Sequence, residues 1–482
     1  MTISKVFSAN PKFATKKYSE DNHEFRSLFD RDRDRILYSK EFRRLNRKTQ
    51  VFVSGFDDHI RNRLTHTIEV SQISQTISSY FKLNDALTSA IAYGHDVGHT
   101  PFGHVGERTL NYFMNGCGKF KDFNDVYKKQ RGFKHNLQGI RVVTELERIT
   151  NDYPGLNLTN YTLWGILNHT GISPKKCDYK KDGNHLKCHI NHAEEECKHH
   201  DFGLCFSFYD KYLQNGIDMS ISWSIEGLIV RIADEIAQRH HDLEDGLFAG
   251  LIDKYEIIDM MISEFSTFLT DQEIDKLNRL KDEKHVSIFT YSLSSIVVNF
   301  LVNQIIKQTD INLKRLMLDY SLSNSNDFND RKSEIFKSDI FKIVAYSNEF
   351  EESENKLQEF LKNRILNSHI AQSMDGKSTY ILRKLINSYL DNPQQLPDGT
   401  IFVLYMRLLH KSEKSKLNGL TEKQMVGLFR DKLKSDHNKE NELRYRNILM
   451  RTICDFIAGM TDDYAIMLYN KLYGTSNVFS NY

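Results

Sequence analysis

A histidine followed directly by an aspartate, His95-Asp96, opens a thirteen-residue run, His-Asp-Val-Gly-His-Thr-Pro-Phe-Gly-His-Val-Gly-Glu. It gathers His95, His99, His104, Asp96 and Glu107 among glycines. Neighbouring helix residues point about 100° apart, so such a pair grips one cation only where a helix ends and the backbone adjusts. Gly94 and Gly98 bracket that place. His66 lies upstream and Asp234 far downstream on helical segments, so the candidate ligands would come from three helices. Two imidazoles and two carboxylates suit Zn, Fe, Mn, Co or Ni, and Mg less well. On an octahedral ion they leave positions for a water and a phosphate oxygen, the arrangement of a metal-assisted hydrolase. Taken singly, each residue has an ordinary reading: a packed or capping histidine, a solvated aspartate, a chance doublet. The weight lies in the cluster, because titratable side chains crowded into a glycine-rich break between apolar helices are costly unless they serve a site.

The elements that must position these groups are helical. Residues 24–50, dense in Arg and Asp and then Glu-Phe-Arg-Arg-Leu-Asn-Arg-Lys, read as a helix ending near Lys48. From Thr65 to Phe81, Ile68, Ile73 and Ile77 interleave with Ser, Gln and Thr, a helix despite its β-branched content. An apolar helix over 85–94 breaks between Gly94 and Gly103 and resumes near His104. Ile225, Leu228, Ile229, Ile232 and Ile236 recur at steps of three and four, giving one buried stripe, with Asp234, Gln238, Asp242 and Asp245 on an adjoining face. From 251 onward nearly everything reads as helix, with Pro393 and Pro397 marking a loop. The fold class expected is all-α. The organisation expected is an N-terminal helical segment (1–55), a metal-binding core (56–250) and a C-terminal helical region (251–482).

With 65 Lys+Arg against 64 Asp+Glu, the net charge of +1 advertises no polybasic field for nucleic acid. The first twenty residues lack the apolar segment of a secretory signal. The longest apolar stretch, around Ile296 to Val302, is too short to span a bilayer, so no membrane partner is expected. Six cysteines in 482 residues make no disulfide framework, and a reducing, cytoplasmic setting is the simplest reading. Four of them (Cys177, Cys188, Cys197 and Cys205) and five of the 19 histidines crowd into residues 172–220. These offer enough soft ligands for one structural zinc, although the spacing matches no compact zinc knuckle. The alternative is an exposed loop carrying unlinked thiols.

Six separated segments, in order, carry a family resemblance. RDRDRILYSKEFRRLNRKTQVF (31–52), RLTHTIEV (63–70), AYGHDVGHTPFGHVGE (92–107), FKHNLQGIRVVTELE (133–147), RIADEIAQRHHDLEDG (231–246) and CDFIAGMTDDYA (454–465) closely resemble the dGTPase family. That family consists of deoxynucleoside triphosphate triphosphohydrolases of the HD superfamily. The resemblance runs from about residue 25 to the C-terminus and is weakest across 172–220 and 250–370.

The resemblance implies that His66, His95, Asp96 and Asp234 hold a divalent metal (Mn, Mg, Fe, Co, Ni or Zn). It implies that His104 and Glu107 form a catalytic dyad, with His104 on the α-phosphate side. A helical spacing of three also lets Glu107 orient that imidazole. His99 and His135 match positions lining the phosphates, Arg63 would pair with phosphate oxygens, and Gln50 and Asp242 match contacts to the sugar 3′-hydroxyl. For His99 the alternative is a loop-stabilising hydrogen bond, and for Asp242 a salt bridge to a neighbouring Arg. The implied reaction is attack of a metal-activated water on the α-phosphorus, releasing deoxynucleoside and tripolyphosphate. The implied substrate is a dNTP, dGTP favoured, and the implied assembly a homo-oligomer with a nucleotide or single-stranded DNA effector. Gln238 stands where many relatives carry the Tyr that packs on the deoxyribose, which puts sugar discrimination in question. Two alternatives compete: another HD phosphohydrolase, acting on nucleoside monophosphates, cyclic nucleotides or alarmones, and a non-catalytic nucleotide sensor.

Overall fold

The structure, a computed structural model, describes residues 2–50, 61–116, 130–172, 206–214, 217–435 and 443–474. Those residues form α-helices, short tighter turns and two isolated β-bridges, and no strand occurs among them. The all-α expectation holds. Two compact units divide the chain, both discontinuous: Met1–Gly98, Gly139–Gly171 and Tyr212–Met374 in the first, His99–Gln138, Ile172–Lys211 and Asp375–Tyr482 in the second.

In the first unit the helices that bear on the site are α1 (Leu28–Leu37), α2 (Arg63–Phe81), α3 (Asp85–Gly94), α6 (Asn160–Asn168), α7 (Ile225–Phe248), α8 (Val286–Asp319) and α9 (Asn348–Ile365), while the short α5 (His135–Arg141) begins among residues of the second unit and ends among those of the first. Helix α7 is central and packs on α2, α3, α6, α8 and α9. Its start is fixed by Ser224, whose side chain accepts from the Gly227 amide, and the expected stripe Ile225, Leu228, Ile229, Ile232 and Ile236 is buried. Asn62 caps α2 through the Thr65 amide, and Lys82 in the left-handed conformation ends it. Ile73 and Ile77 are buried as the pattern suggests, whereas Ile68 is exposed. Small residues share the buried face with them. Ser78 and Thr88 share a hydrogen bond of 2.9 Å, and Gln75 Nε2 donates to Ser89 Oγ at 2.9 Å, so α2 and α3 lie close. The helix expected over 24–50 is broken after Leu37, where Ser39 caps a new turn through the Phe42 amide. Helix α8 is longer than the apolar stretch in the sequence implies. By length and composition alone, with a window of mean hydropathy 1.5 that is 44% buried, it could cross a membrane, a property that core helices share.

In the second unit, α4 (Gly103–Met114) packs on α11 (Leu443–Ala458), which packs on α10 (Asp398–Leu408), and α12 (Asp462–Tyr473) follows α11. The Pro393–Gln395 turn precedes α10, as the two prolines lead one to expect.

Candidate active site

In the first unit, α2 delivers His66, the end of α3 delivers His95 and Asp96, and α7 delivers Asp234. His66, His95 and Asp96 are buried, and their ligand atoms lie within 4.8 Å of one another. His66 Nε2 is 3.0 Å from Asp234 Oδ1 and 4.0 Å from Asp96 Oδ2. The His95 Nδ1–H donates to the Ala92 carbonyl at 2.6 Å, which turns Nε2 toward the cluster as a lone-pair atom. That Nε2 is buried without a hydrogen-bond partner, and its carboxylate neighbours are Asp96 Oδ1 at 3.5 Å and Asp234 Oδ1 at 3.8 Å. Acceptors facing acceptors in a buried site are unfavourable unless a cation lies among them, so the donor set fits a divalent metal. Burial acts to raise the Asp234 carboxyl, but a hydrogen bond from His66 and the charges of His95, His66 and His169 hold it well below the usual range.

Around the cluster, the Arg63 Nη1–H donates to Asp96 Oδ2 at 2.8 Å, while its Nε is buried without a partner. Arg63 therefore holds Asp96 in place and keeps a donor in reserve. A β-bridge between Thr49 and Asn62, and the Arg63 amide donating to the Lys48 carbonyl, lay the Gln50 segment beside the start of α2. Gln50 Oε1 is buried and has no hydrogen-bond donor among the described residues. Gln238, one turn after Asp234, is half-buried. Asp242 has no ion-pair partner among the described residues; Arg239, the neighbour sequence reasoning offered it, donates to Glu354 instead at 2.6 Å. Burial pushes Asp242 up to about 7, against the charges of Arg239 and His66.

Three residues that the sequence reading missed also belong here. His169, buried on the loop after α6, stands with its ring 5.2 Å from that of His95. Its only signal was a polar Asn-His-Thr-Gly stop after an apolar helix. Glu69 and His241 back His66: the His66 and His241 Nδ1 atoms are 3.2 Å apart, and His241 Nε2 hydrogen-bonds Glu69 Oε2.

In the second unit, His99, His104, Glu107 and His135 come together. The His99 and His135 rings stack at 3.9 Å, and the His104 ring lies 5.9 Å from His99 and 6.3 Å from His135. His104 is exposed at the start of α4. Glu107 was expected to orient His104, yet its hydrogen bonds come from His135 Nδ1, from the His135 amide at 3.0 Å and from Lys134 Nζ at 2.9 Å. Burial raises the Glu107 carboxyl, and the charge and hydrogen bond of His135, with Lys134 and His104, hold it well below the carboxylate range. His104 thus enters through its charge. The loop before α4 is braced by Asp462, fully buried, whose Oδ1 accepts from the Phe102 amide at 2.8 Å. The four insertion cysteines, Cys177, Cys188, Cys197 and Cys205, lie outside the described residues.

The family model described as the HD domain matches residues 63–258, and that of the phosphohydrolase-associated domain matches residues 417–471. A deoxyguanosinetriphosphate triphosphohydrolase-like protein of Bartonella tribocorum is 30% identical over 478 residues, 98% of this chain and 96% of the relative. Proteins of the same description are 30% identical over 461 residues in Rickettsia rickettsii, covering 96% and 95%, and 28% identical over 471 residues in Leptospira interrogans, covering 98% and 96%.

Proposed function

Because this chain belongs to the deoxyguanosinetriphosphate triphosphohydrolase-like family of HD-domain proteins, we propose that it hydrolyses deoxynucleoside triphosphates at the α-phosphorus, releasing a deoxynucleoside and tripolyphosphate. The observation that carries the proposal is the buried set His66, His95 and Asp96 with the partly exposed Asp234 beside it, the His95 Nε2 lone pair aimed at two carboxylates. A divalent cation held there supplies Lewis-acid polarisation of a phosphoryl oxygen and lowers the pKa of water.

The chain's own residues do the remainder. Arg63 keeps Asp96 in place with one arm and offers its unpartnered Nε to a phosphate oxygen. Gln50 Oε1, buried without a donor, is an acceptor matched to a sugar hydroxyl. Asp242, held near neutrality in its pKa, can accept from that hydroxyl or donate to it. His104 and Glu107, read as the catalytic dyad by resemblance, follow Asp96 in the chain within eleven residues. His104 is exposed and can move a proton, and the ionised Glu107 fixes His135 beside it. Base choice follows the family resemblance to dGTP. Gln238 offers hydrogen bonding in place of an aromatic ring, so a ribose 2′-hydroxyl is rejected less strictly than by a tyrosine.

The test is incubation with each of the four deoxy- and four ribonucleoside triphosphates plus Mn²⁺ or Mg²⁺, with the phosphate product identified. Tripolyphosphate with deoxynucleoside is expected, from dGTP foremost, and His104→Ala should lose turnover while still binding substrate. Release of orthophosphate or pyrophosphate, or full turnover by His104→Ala, overturns the reading.

A further inference from the structure

Helix α2 carries His66 and, one turn later, Glu69; helix α7 carries Asp234 and, two turns later, His241. The two pairs face each other in the first unit. His66 and His241 meet with ring centroids 5.0 Å apart at an interplanar angle of 72°, and their Nδ1 atoms are separated by 3.2 Å. On its far side His241 Nε2 meets Glu69 Oε2, while Arg61 Nε donates to the other oxygen, Oε1, at 3.1 Å. His241 is fully buried, so its ring nitrogens have no water to fall back on.

With Glu69 ionised, this chain of contacts takes the same order of protons on the Glu69 side whether or not His66 also donates from Nε2 to Asp234 in the metal-free protein. Glu69, an acceptor only when ionised, takes the Nε2–H of His241. The His241 Nδ1 is then a lone pair and accepts the Nδ1–H of His66. With Nδ1 protonated toward His241, the proton His66 gives up when a cation takes the Asp234 and Asp96 side is the one on Nε2, which leaves Nε2 as the lone pair. We propose that Glu69 and His241 are positioning residues that lock the tautomer and ring orientation of His66, so that its Nε2 is presented to the metal. The inference rests on the metal reading above. Histidine ligands commonly donate their second nitrogen to a carboxylate or carbonyl. His95 does this with the Ala92 carbonyl, whereas His66 reaches its carboxylate through a second imidazole.

Glu69, His240 and His241 also have ligand atoms close enough to hold a cation of their own. Arg61 argues against that use. Its guanidinium hydrogen-bonds both Glu69 and Glu244, and His240 Nε2 is 3.1 Å from Glu244 Oε1, so the carboxylates are already neutralised and a dication would sit beside a fixed positive charge.

The test titrates Co²⁺ into the full chain stripped of metal, followed by calorimetry and visible absorption. Glu69→Gln should weaken cobalt affinity by about 10- to 100-fold and shift the absorption bands, with Glu69→Asp restoring part of both. The melting temperature of the stripped protein should stay unchanged. If Glu69→Gln lowers it, His241→Asn, which leaves the Arg61–Glu69 pair intact, carries the test with the same expected loss. Wild-type affinity and spectrum in these variants overturn the proposal. So does a wild type that takes two cobalt ions of which Glu69→Gln loses one. Asp234→Ala separates the two levels: if it binds cobalt as the wild type does, the metal reading itself has failed.

Discussion

Asp242 shows how much a single buried carboxyl can report. It sits two turns beyond Asp234 on α7, without an ion-pair partner among the described residues, and burial pushes it up to about 7. Asp245, one turn further, is also pushed up to about 7 by burial, with Asp242 among the charges that raise it. In an unfolded chain an aspartate titrates near 4. Between about pH 4 and pH 7 the folded protein therefore retains a proton that the unfolded chain has lost, and stability falls as pH rises through that window. Glu107 and Asp234, held low, act with the opposite sign in acid, and buried His241, pushed down to about 3, does so up to about pH 6.5, so the Asp242 effect is read as the difference between variant and wild type. Asp242→Asn should flatten the decline between pH 5 and pH 8 and make the metal-free variant more stable than the wild type at pH 8, by about 1–3 kcal/mol. Urea denaturation at the two pH values measures it. Equal slopes in both proteins would show that Asp242 is already ionised at neutrality. The same substitution exchanges one carboxyl oxygen for an amide nitrogen and removes the ionisable group from the proposed sugar contact, so turnover should fall even as stability rises.

At the scale of elements, the loop between α3 and α4 is held in a shape that sequence alone does not specify. Phe102 adopts a left-handed backbone conformation (φ 60°), which an L-residue takes at a cost of about 1–2 kcal/mol. The compensation comes from Asp462 at the start of α12, which accepts the Phe102 amide. Gly106 lies so close to the loop that an added Cβ would sit 2.1 Å from the Pro101 carbonyl oxygen and 2.4 Å from Thr100 Oγ1. Asp462→Ala should destabilise the protein by about 1–3 kcal/mol, because it strands a buried amide, and Asp462→Asn should recover most of that through its amide oxygen. Gly106→Ala should cost about 1–3 kcal/mol or more through overpacking. Thermal melts of the three variants check both, and an unperturbed Asp462→Ala would show that the loop holds itself. The helix break at Gly94 and the resumption at Gly103 were legible in the sequence, because glycine and proline chemistry is local. The partners were not. Glu107 reads as a partner for His104 at helical spacing but bonds His135, brought to it by the fold, and Asp462 lies 360 residues from the amide it accepts.

Over the whole molecule, what could be read in advance was the kind of residue and the face it occupies. What could not was which groups meet across helices. His95 and Asp96 stood out because histidines and carboxylates in a glycine-rich break have no cheap structural use, and His66 and Asp234 joined them through the family resemblance. Glu69 and His241 did not, since a glutamate on a polar helix face and a His-Asp-Leu-Glu-Asp run look like solvated surface until α2 and α7 are packed together. That packing has a consequence for dynamics. The candidate ligands come from helices 63–81 and 225–248 and from the turn that ends helix 85–94, so a cation bound there would tie together segments up to 168 residues apart in sequence (His66 to Asp234). A ligand that binds only the folded form stabilises it by RT ln(1 + [L]/Kd), about 2.7 kcal/mol at a hundredfold excess over Kd. Where amide exchange in α2, α3 and α7 requires opening of the site, Mn²⁺ at that excess should slow it by about 100-fold, the same free energy expressed as a rate. Residues of α10 should show less protection, since α10 supplies no ligand. Asp234→Ala should remove the protection everywhere. Hydrogen exchange followed by mass spectrometry, with and without Mn²⁺, reads all of these segments in one experiment. Protection that survives in Asp234→Ala, or that is as strong in α10 as in α7, would place the cation somewhere other than the His-Asp centre.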